Sequence, residues 1–289
     1  MITLHATAAC ASLYPLLQAT SWQGEIAAIF HRSLLCTPSA ERLLHLHTGA
    51  QLVSPFSLRL EGDFARVLRV PSLVRGVPVR KIGAAIYIAE HIQLTLDEVR
   101  YYQSPTHRTA VVNADAVKLA WQLLRSNGRG DGFEQLPGAQ TIITAMQQAI
   151  IDSNSAERLG AMRRLIGWGP GLTPSGDDVL VGCLRGLWLI NWNQPARSER
   201  LDCWRNALLP ELNARTTRVG AEFIRYALDG AFAEVLDQAA LSLLDAFHPL
   251  VVQSAVNRLL AQGETSGTDT VLGLLRCLEA LLRVFDPEP

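Results

Sequence analysis

The chain has 289 residues, of which 48% are hydrophobic, and its 26 basic and 27 acidic residues leave a formal net charge of -1. This length and composition predict a globular protein with one large domain or two modest ones. The sequence contains no run of five like charges, which excludes a basic nucleic-acid-binding arm and an acidic tail. The charge pattern therefore indicates no nucleic-acid partner.

The cysteines and the apolar stretches indicate a cytoplasmic protein. Five cysteines are scattered along the chain without a C-x-x-C pair, which favours neither a disulfide framework nor a zinc site and fits a reducing compartment. The N-terminal stretch lacks the basic region of a secretory signal. The longest apolar stretch, 179–192, is short for a membrane span and contains Arg185. We therefore expect no membrane partner.

The first hundred residues are predicted to be rich in β-structure. One interpretation of ATSWQGEIAAIFHRSLL, 19–35, is a helix that packs against a sheet. From about Arg42 to Tyr102, alternating apolar and β-branched residues between Gly, Pro and Asp turns predict five or six short antiparallel strands, among them FARVLRV, 64–70.

The hydrophobic period changes to that of helices from about Asn113 onward. Asn113 is the predicted N-cap of ADAVKLAWQLLRS, Ser155 is the predicted N-cap of AERLGAMRRLIG, and about eight helices are expected in all. The predicted fold class is α+β, with a β-rich, antiparallel or barrel-like domain over 1–105 and a larger helical domain over 106–289. The turn-rich loop 128–138 is expected to be exposed.

One loop in the helical part carries an unusual concentration of glycine, proline and aspartate. It reads GWGPGLTPSGDD, 167–178, and leads into an apolar helix. The segment 175–187 has a partner in 266–278, with seven identical residues in thirteen positions and no gap. The shared residues include Ser, Gly and Asp at each helix start, so each copy is predicted to be a polar turn that feeds an apolar helix.

The physical chemistry of such helix starts favours ligand binding. The first N–H groups of a helix have no partner within the helix, and glycines let the backbone approach an anion closely. Small residues at i, i+4 spacing, namely Gly182 with Gly186 and Gly273 with Cys277, would let the two helices pack closely. Two packed helices with parallel starts would place both loops at one site.

Asp177 and Asp178 leave the chemistry of this site open. Two carboxylates repel a bound phosphate unless a cation lies between them, and Mg²⁺ held by Asp177 and Asp178 is one interpretation. Another is that one aspartate caps the helix while the other orients a substrate amide or transfers a proton. A third interpretation is a rigid connection with a well-capped helix start and no ligand.

The sequence therefore predicts one polar site in which Asp177 and Asp178 are the candidate catalytic and metal-binding residues. The glycines are expected to shape the loop, and Thr and Ser hydroxyls to donate hydrogen bonds. The candidate substrate-binding residues are Gly169, Gly171, Thr173, Ser175, Gly176, Thr216, Ser266, Gly267 and Asp269.

Other polar residues are weaker candidates. Thr216 lies in the segment 215–218, which either adds donors to an anion pocket or caps a helix. His45 and His47 have metal-like spacing but no evident third ligand, which favours a structural role. Lys81 is expected to be solvated at a strand edge. Arg185 and Arg276, each in a predicted helix, are expected to pair with acids or to extend from the helix interface.

The loop GPGLTPSGDD, 169–178, followed by Gly182, resembles the signature of a bacterial protein family. This family includes the smallest component of the three-subunit oxamate carbamoyltransferase of allantoin breakdown, which converts oxalurate and phosphate to oxamate and carbamoyl phosphate. The resemblance implies a subunit that handles carbamoyl or acyl phosphates, or a small dicarbonyl acid, beside acyl-CoA-synthetase-like partner subunits. It does not say which subunit performs the chemistry.

Two alternatives remain from the sequence. One is a non-catalytic assembly subunit of such a complex. The other rests on GTDT, 267–270, which is similar to the metal loop of ADP-ribosylglycohydrolases, a helical family that binds paired Mg²⁺ ions. Gly267 stands where that loop has its first aspartate, so the resemblance is incomplete.

Overall fold

A computed structural model describes residues 1–39, 42–49, 52–62, 64–105, 111–130, 132–151, 156–189 and 195–285. The chain divides into two compact units, Met1–Ser104 and Pro105–Pro289. The first unit contains the strands and the second consists of helices, so the predicted α+β class, with a β-rich part followed by a larger helical part, is confirmed. Within the described ranges, no helix is both long and apolar enough to cross a membrane.

The N-terminal unit is built on one nine-stranded sheet that closes on itself. The strands follow the order β5-β4-β3-β2-β6-β7-β8-β1-β9, and an additional β1–β5 pairing closes the ring. Three pairs, β1–β8, β1–β9 and β4–β5, are parallel, so the sheet is mixed rather than purely antiparallel. The strands are β1 (Ile2–Cys10), β2 (Ser21–Ile29), β3 (Ser33–Thr37), β4 (Leu44–Thr48), β5 (Ser57–Glu61), β6 (Pro78–Ile82), β7 (Ala85–Ile88), β8 (Ile92–Thr95) and β9 (Arg100–Tyr102).

Two predictions in this unit are wrong. The segment 19–35 forms β2 and β3 instead of a helix, because the antiparallel partners β3 and β6 supply the backbone hydrogen bonds of β2. Gly24 disfavours a helix and lets the carbonyl of Thr37 approach the backbone. The predicted strand 64–70 is instead the short helix α2 (Phe64–Leu68), preceded in the chain by the short helix α1 (Tyr14–Gln18). Phe64 and Val67 are buried at i, i+3 spacing, which fits a helix as well as the apolar pattern fits a strand.

Three polar side chains of this unit lie against neighbouring groups of the protein, although Nδ1 of His47 has no hydrogen-bond partner among the described residues. The rings of His45 and His47 stack with centroids 5.4 Å apart, and burial, the first cause, lowers the pKa of each imidazole to about 4. Lys81 is buried instead of solvated, and its ammonium donates to the carbonyls of Ala19 and Gly83, each at 2.5 Å. These contacts favour structural roles for all three side chains.

The C-terminal unit contains ten α-helices in its described residues, two more than expected. Asn113 caps the first, α3, by accepting from the Ala116 amide at 3.0 Å, as predicted, whereas Ser155 lies outside the described residues. The helices are α3 (Ala114–Asn127), α4 (Ala139–Ile151), α5 (Ala156–Leu165), α6 (Ser175–Leu189), α7 (Pro195–Leu208), α8 (Leu212–Arg215), α9 (Arg218–Leu228), α10 (Glu234–Leu241), α11 (Pro249–Leu260) and α12 (Ser266–Phe285).

Helices α6 and α12, the two copies of the repeat, pack directly against each other. A Cβ atom added to Gly182 would overlap the carbonyl oxygen of Thr270, and one added to Gly273 would overlap the carbonyl oxygen of Val179. Gly182 and Gly273 occupy equivalent positions in the two copies of the repeat, and so do Val179 and Thr270. The two contacts therefore exchange under a local two-fold axis. Further along, Gly186 meets Cys277, so the contacts advance along both helices in the same direction and the helices are parallel, with both starts at the same end.

Alanine at Gly182 or Gly273 is expected to destabilise the C-terminal unit. Each methyl group would force the two backbones apart, and overpacking of this kind costs about 1–3 kcal/mol or more in the free energy of unfolding. Denaturant unfolding of each variant measures this loss. Gly160→Ala on α5 is the control, because a Cβ atom there meets open space and alanine favours the helix. Equal stability of all three variants would contradict the packing described.

Candidate functional site

The starts of α6 and α12 converge on one place. Thr173, two residues before α6, has its hydroxyl 2.9 Å from the hydroxyl of Ser266, the first residue of α12. The sequence predicted this convergence from the repeat, and the contact confirms it. The two copies also begin in the same way, since the Gly176 amide donates to the Trp168 carbonyl at 2.7 Å and the Gly267 amide to the Gln262 carbonyl at 3.0 Å.

Glycines set the path of the chain into each helix. Gly169 and Gly171 have φ angles of 110° and 103°, in the region that favours glycine, and produce the tight turns of the loop. Gly176 and Gly267 face the carbonyl oxygens at the ends of the preceding helices, Leu165 in α5 and Leu259 in α11, where a Cβ atom would overlap. Each helix start is thus held against the end of the helix before it.

Asp177 connects the loop to the start of α9. Its Oδ1 accepts from the Gly167 amide at 2.7 Å, and its Oδ2 accepts from the hydroxyl of Thr216. The side chain is buried, and burial, the largest cause, raises its pKa to about 6 against the opposing effect of these two hydrogen bonds. Gly220 leaves room for this carboxylate. Asp177 therefore has partners for both oxygens within the protein.

The neighbouring Thr217 serves as the N-cap of α9. Its hydroxyl oxygen accepts from the Gly220 amide at 3.0 Å, and its hydroxyl donates to the Leu172 carbonyl at 2.5 Å. The helix-cap interpretation of the segment 215–218 thus holds for Thr217, while Thr216 reaches Asp177. Together the two threonines fix the GPGLTPSGDD loop against α9.

Asp178 and Asp269 form the pair that faces across the local two-fold axis. They occupy equal positions in the two copies, whereas Asp177 has Thr268 as its counterpart. Adjacent residues in a helix point about 100° apart, so Asp177 and Asp178 serve different neighbours. The sequence grouped Asp177 with Asp178, but the structure pairs Asp178 with Asp269.

Both members of this pair are buried and electrostatically coupled. Asp178 is 9% exposed and Asp269 is 1% exposed. Burial, the first cause, raises the pKa of Asp178 well above its usual range, and the charges of Asp269 and Asp177 raise it further, while the hydroxyls of Ser266 and Thr173 oppose the shift. Burial also raises the pKa of Asp269. Such a pair retains a proton where isolated carboxyl groups would be ionised.

The hydrogen bonds of this pair are incomplete within the described part of the chain. Asp269 Oδ1 accepts from the Phe133 amide at 2.6 Å, and the hydroxyls of Ser175 and Thr265 favour its ionised form. The Oδ2 atoms of Asp178 and Asp269 are buried and have no hydrogen-bond partner among the described residues. A buried polar atom without a partner costs about 1–3 kcal/mol, so a water molecule or a ligand that donates to these atoms would stabilise the site.

The structure adds one element that the sequence analysis did not assign to the site. The loop 128–138 was expected to be only an exposed connection, yet its Phe133 amide binds Asp269. Gly132 is needed there, because a Cβ atom would lie 2.5 Å from Asp269 Oδ1. The glycines of GRGDG are the sequence signal for such a close approach.

The donor set does not by itself make a complete metal centre. Over the described ranges, no group of three or more His, Cys, Asp or Glu side chains is arranged to hold a metal ion. A cation at the helix starts would have the carboxylates of Asp178 and Asp269 with neighbouring hydroxyls, and ligand or water oxygens would complete its coordination. Asp177, which the sequence assigned to metal binding, already accepts two hydrogen bonds.

Residues 165–278 match the family model described as oxamate carbamoyltransferase subunit AllH. The matched segment lies within the C-terminal unit, so the similarity to the AllH family is carried by part of that unit. The AllH segment starts at the last residue of α5 and includes both helix starts, so Asp177, Asp178 and Asp269 all belong to it. Phe133 lies outside the segment. No solved structure matches the chain.

Proposed function

We propose that this chain is a subunit of a carbamoyltransferase complex of the oxamate carbamoyltransferase type. It binds a carbamoyl or acyl phosphate, or a small dicarbonyl acid, at the paired starts of α6 and α12. The family match supports the complex. The observation that carries the binding site is the buried Asp178–Asp269 pair, whose Oδ2 atoms have no hydrogen-bond partner in the described residues.

The protonation state of this pair suits a carbamoyl or oxamate amide group. When the pair holds one proton, one carboxyl group donates a hydrogen bond and the other accepts one. An amide presents the complementary set, a carbonyl oxygen that accepts and an NH₂ group that donates. One proton also halves the negative charge of the pair, which lowers its repulsion of an anionic ligand.

The surrounding groups of the two loops supply further donors. The hydroxyls of Thr173, Ser175 and Ser266 lie beside the pair, and the two helix starts direct positive dipole ends toward it. In this role Asp177 is a positioning residue, because it holds Gly167 and Thr216 in place. Gly169, Gly171, Gly176 and Gly267 shape the backbone on which these donors stand.

Binding of Mg²⁺ is the alternative to a shared proton as the way in which the buried carboxyl groups of Asp178 and Asp269 are compensated. An Mg²⁺ ion would be held by Asp178 and Asp269, would bridge to ligand oxygens, and would require both carboxyl groups to be ionised. Proton sharing requires no cation. Turnover measured after removal of divalent cations by a chelator separates the two, since only the Mg²⁺ mechanism predicts its loss.

The partners that we propose are acyl-CoA-synthetase-like subunits in the cytoplasm. The test is reconstitution of the complex with and without this chain, followed through formation of oxalurate from oxamate and carbamoyl phosphate. We expect turnover only when the chain is present. Calorimetry of the isolated chain with carbamoyl phosphate and with oxamate then determines whether this chain itself binds either compound.

Each other outcome identifies an alternative. If the chain copurifies with the other subunits but the ligands bind only to those subunits, the chain is an assembly subunit and the proposed binding site is wrong. If the isolated chain hydrolyses ADP-ribosylated substrates in a Mg²⁺-dependent reaction, the hydrolase interpretation replaces the proposal.

A further inference from the structure

A cavity of about 270 Å³ lies in the C-terminal unit between the end of α3, the loop 128–138 and the first turns of α12. We propose that this cavity binds the oxyanion group of a small ligand, a carboxylate or a phosphate, beside Trp121 and Arg276. Drug-sized ligands need cavities of about 300–1,000 Å³, so this volume suits a smaller molecule. Neither the family match nor the proposed site at the paired helix starts gives this cavity a role.

Among the described residues that line the cavity, arginine is the predominant charged type. Arg125, Arg129 and Arg276 line it, against the acidic residues Glu134 and Asp269. The Arg129 guanidinium donates to the neutral carbonyls of Gly263 and Glu264, and it forms no ion pair with another of the described residues. The described charges of the wall therefore favour an anionic ligand.

Arg276, which lines the cavity, has donor capacity that its ion pairs do not use. Its two ion pairs, with Glu134 and Glu279, are both long at 3.4 Å. Its Nε is buried and has no hydrogen-bond partner among the described residues. A guanidinium presents its N–H groups in a planar fork that matches a carboxylate or a phosphate, and such charge-assisted bonds are the stronger kind.

Trp121 contributes a flat wall and a further donor. The guanidinium of Arg276 lies 4.7 Å from its ring centroid, and that of Arg125 lies 5.9 Å away. The indole Nε1 is buried and is also without a hydrogen-bond partner in the described part of the chain. Trp Nε1 and Arg Nε can only donate, so a ligand that satisfies both must present acceptors.

The cavity also reaches the paired helix starts through Asp269, which lines it and whose Oδ2 is buried and has no hydrogen-bond partner among the described residues. If the proposed function holds, the oxyanion lies beside Arg276 while the amide of the same ligand lies at the Asp178–Asp269 pair. This extension rests on the proposed function. Binding of an oxyanion in the cavity does not depend on the proposed function.

The test is titration of the full chain with inorganic phosphate and, separately, with oxamate, followed by calorimetry and by tryptophan fluorescence. Loss of one charged hydrogen bond of this kind corresponds to roughly a ten-fold or larger rise in Kd. We expect that rise for Arg276→Gln and a smaller one for the exposed Arg125→Gln. Trp121→Phe should remove most of the fluorescence change. Arg258→Gln, an exposed arginine on α11 outside this cavity, is the control and should leave Kd unchanged.

The outcomes separate this inference from the proposed function. Phosphate binding that survives in Asp178→Asn, which lacks turnover, supports the cavity on its own. Tighter binding of phosphate than of oxamate identifies a phosphate subsite, and the reverse identifies a carboxylate subsite. Unchanged Kd in both arginine variants would overturn the inference, and so would the absence of binding to the unaltered chain at millimolar phosphate and oxamate.

Discussion

Asparagine in place of Asp178 or of Asp269 is expected to lower turnover of the assembled complex by at least about 100-fold, the usual loss when a positioned acid or base is removed. An amide cannot share the proton of the pair. The Asn side chain still fits the space, so assembly with the partner subunits should persist. Steady-state turnover of the reconstituted complex measures the effect.

The fold should tolerate these two substitutions. Burial of the pair raises both pKa values, so the folded chain binds protons that the unfolded chain releases. The free energy of unfolding therefore falls as pH rises above the ordinary carboxyl pKa. In the Asp178→Asn/Asp269→Asn double variant, the free energy of unfolding should fall less as pH rises. At neutral pH its melting temperature should equal or exceed that of the unaltered chain. Asp202→Asn, an exposed residue on α7, is the control and should retain full turnover.

Asparagine in place of Asp237 is expected to destabilise the C-terminal unit by about 3–5 kcal/mol, the range observed when one partner of a buried ion pair is removed. Asp237 on α10 lies 2.6 Å from Arg185 on α6, with side chains 0% and 1% exposed. Arg185 also lies 5.1 Å from the Phe232 ring centroid and donates to the Pro105 carbonyl. Without Asp237 the buried Arg185 loses this ion pair. Denaturant unfolding measures the loss.

The matched control for this ion pair lies on the surface of the same unit. Asp229 pairs with Arg205, and their side chains are 44% and 38% exposed. Exposed pairs contribute about 0–1 kcal/mol, so Asp229→Asn should have little effect. If the two variants lost equal stability, burial would not be what makes the Arg185–Asp237 pair important.

The sequence predicted the meeting of the two helix starts because the necessary information is local. Ser, Gly and Asp recur at both starts, and Gly182 and Gly273 mark the faces that pack. For Arg185 the sequence left two possibilities, an acidic partner or extension from the helix interface, and the contact with Asp237 supports the first.

The remaining features depend on tertiary contacts that no local pattern contains. Asp177 and Asp178 look equivalent in the sequence, and only the positions of Gly167 and Thr216 decide that Asp177 is the internally bonded one. The Phe133 amide meets a carboxylate 136 residues away. Similarly, β2 became a strand because β3 and β6 lie beside it, which its own residues do not indicate.

The most direct test of the central claim is calorimetric titration of oxamate and of carbamoyl phosphate into the chain and into its Asp178→Asn/Asp269→Asn double variant. The claim is that the Asp178–Asp269 pair at the paired helix starts holds the ligand. We predict that the unaltered chain binds at least one of the two compounds and that the double variant, folded and with its melting temperature retained, loses this binding. Equal affinity in both proteins would contradict the claim and place the ligand elsewhere.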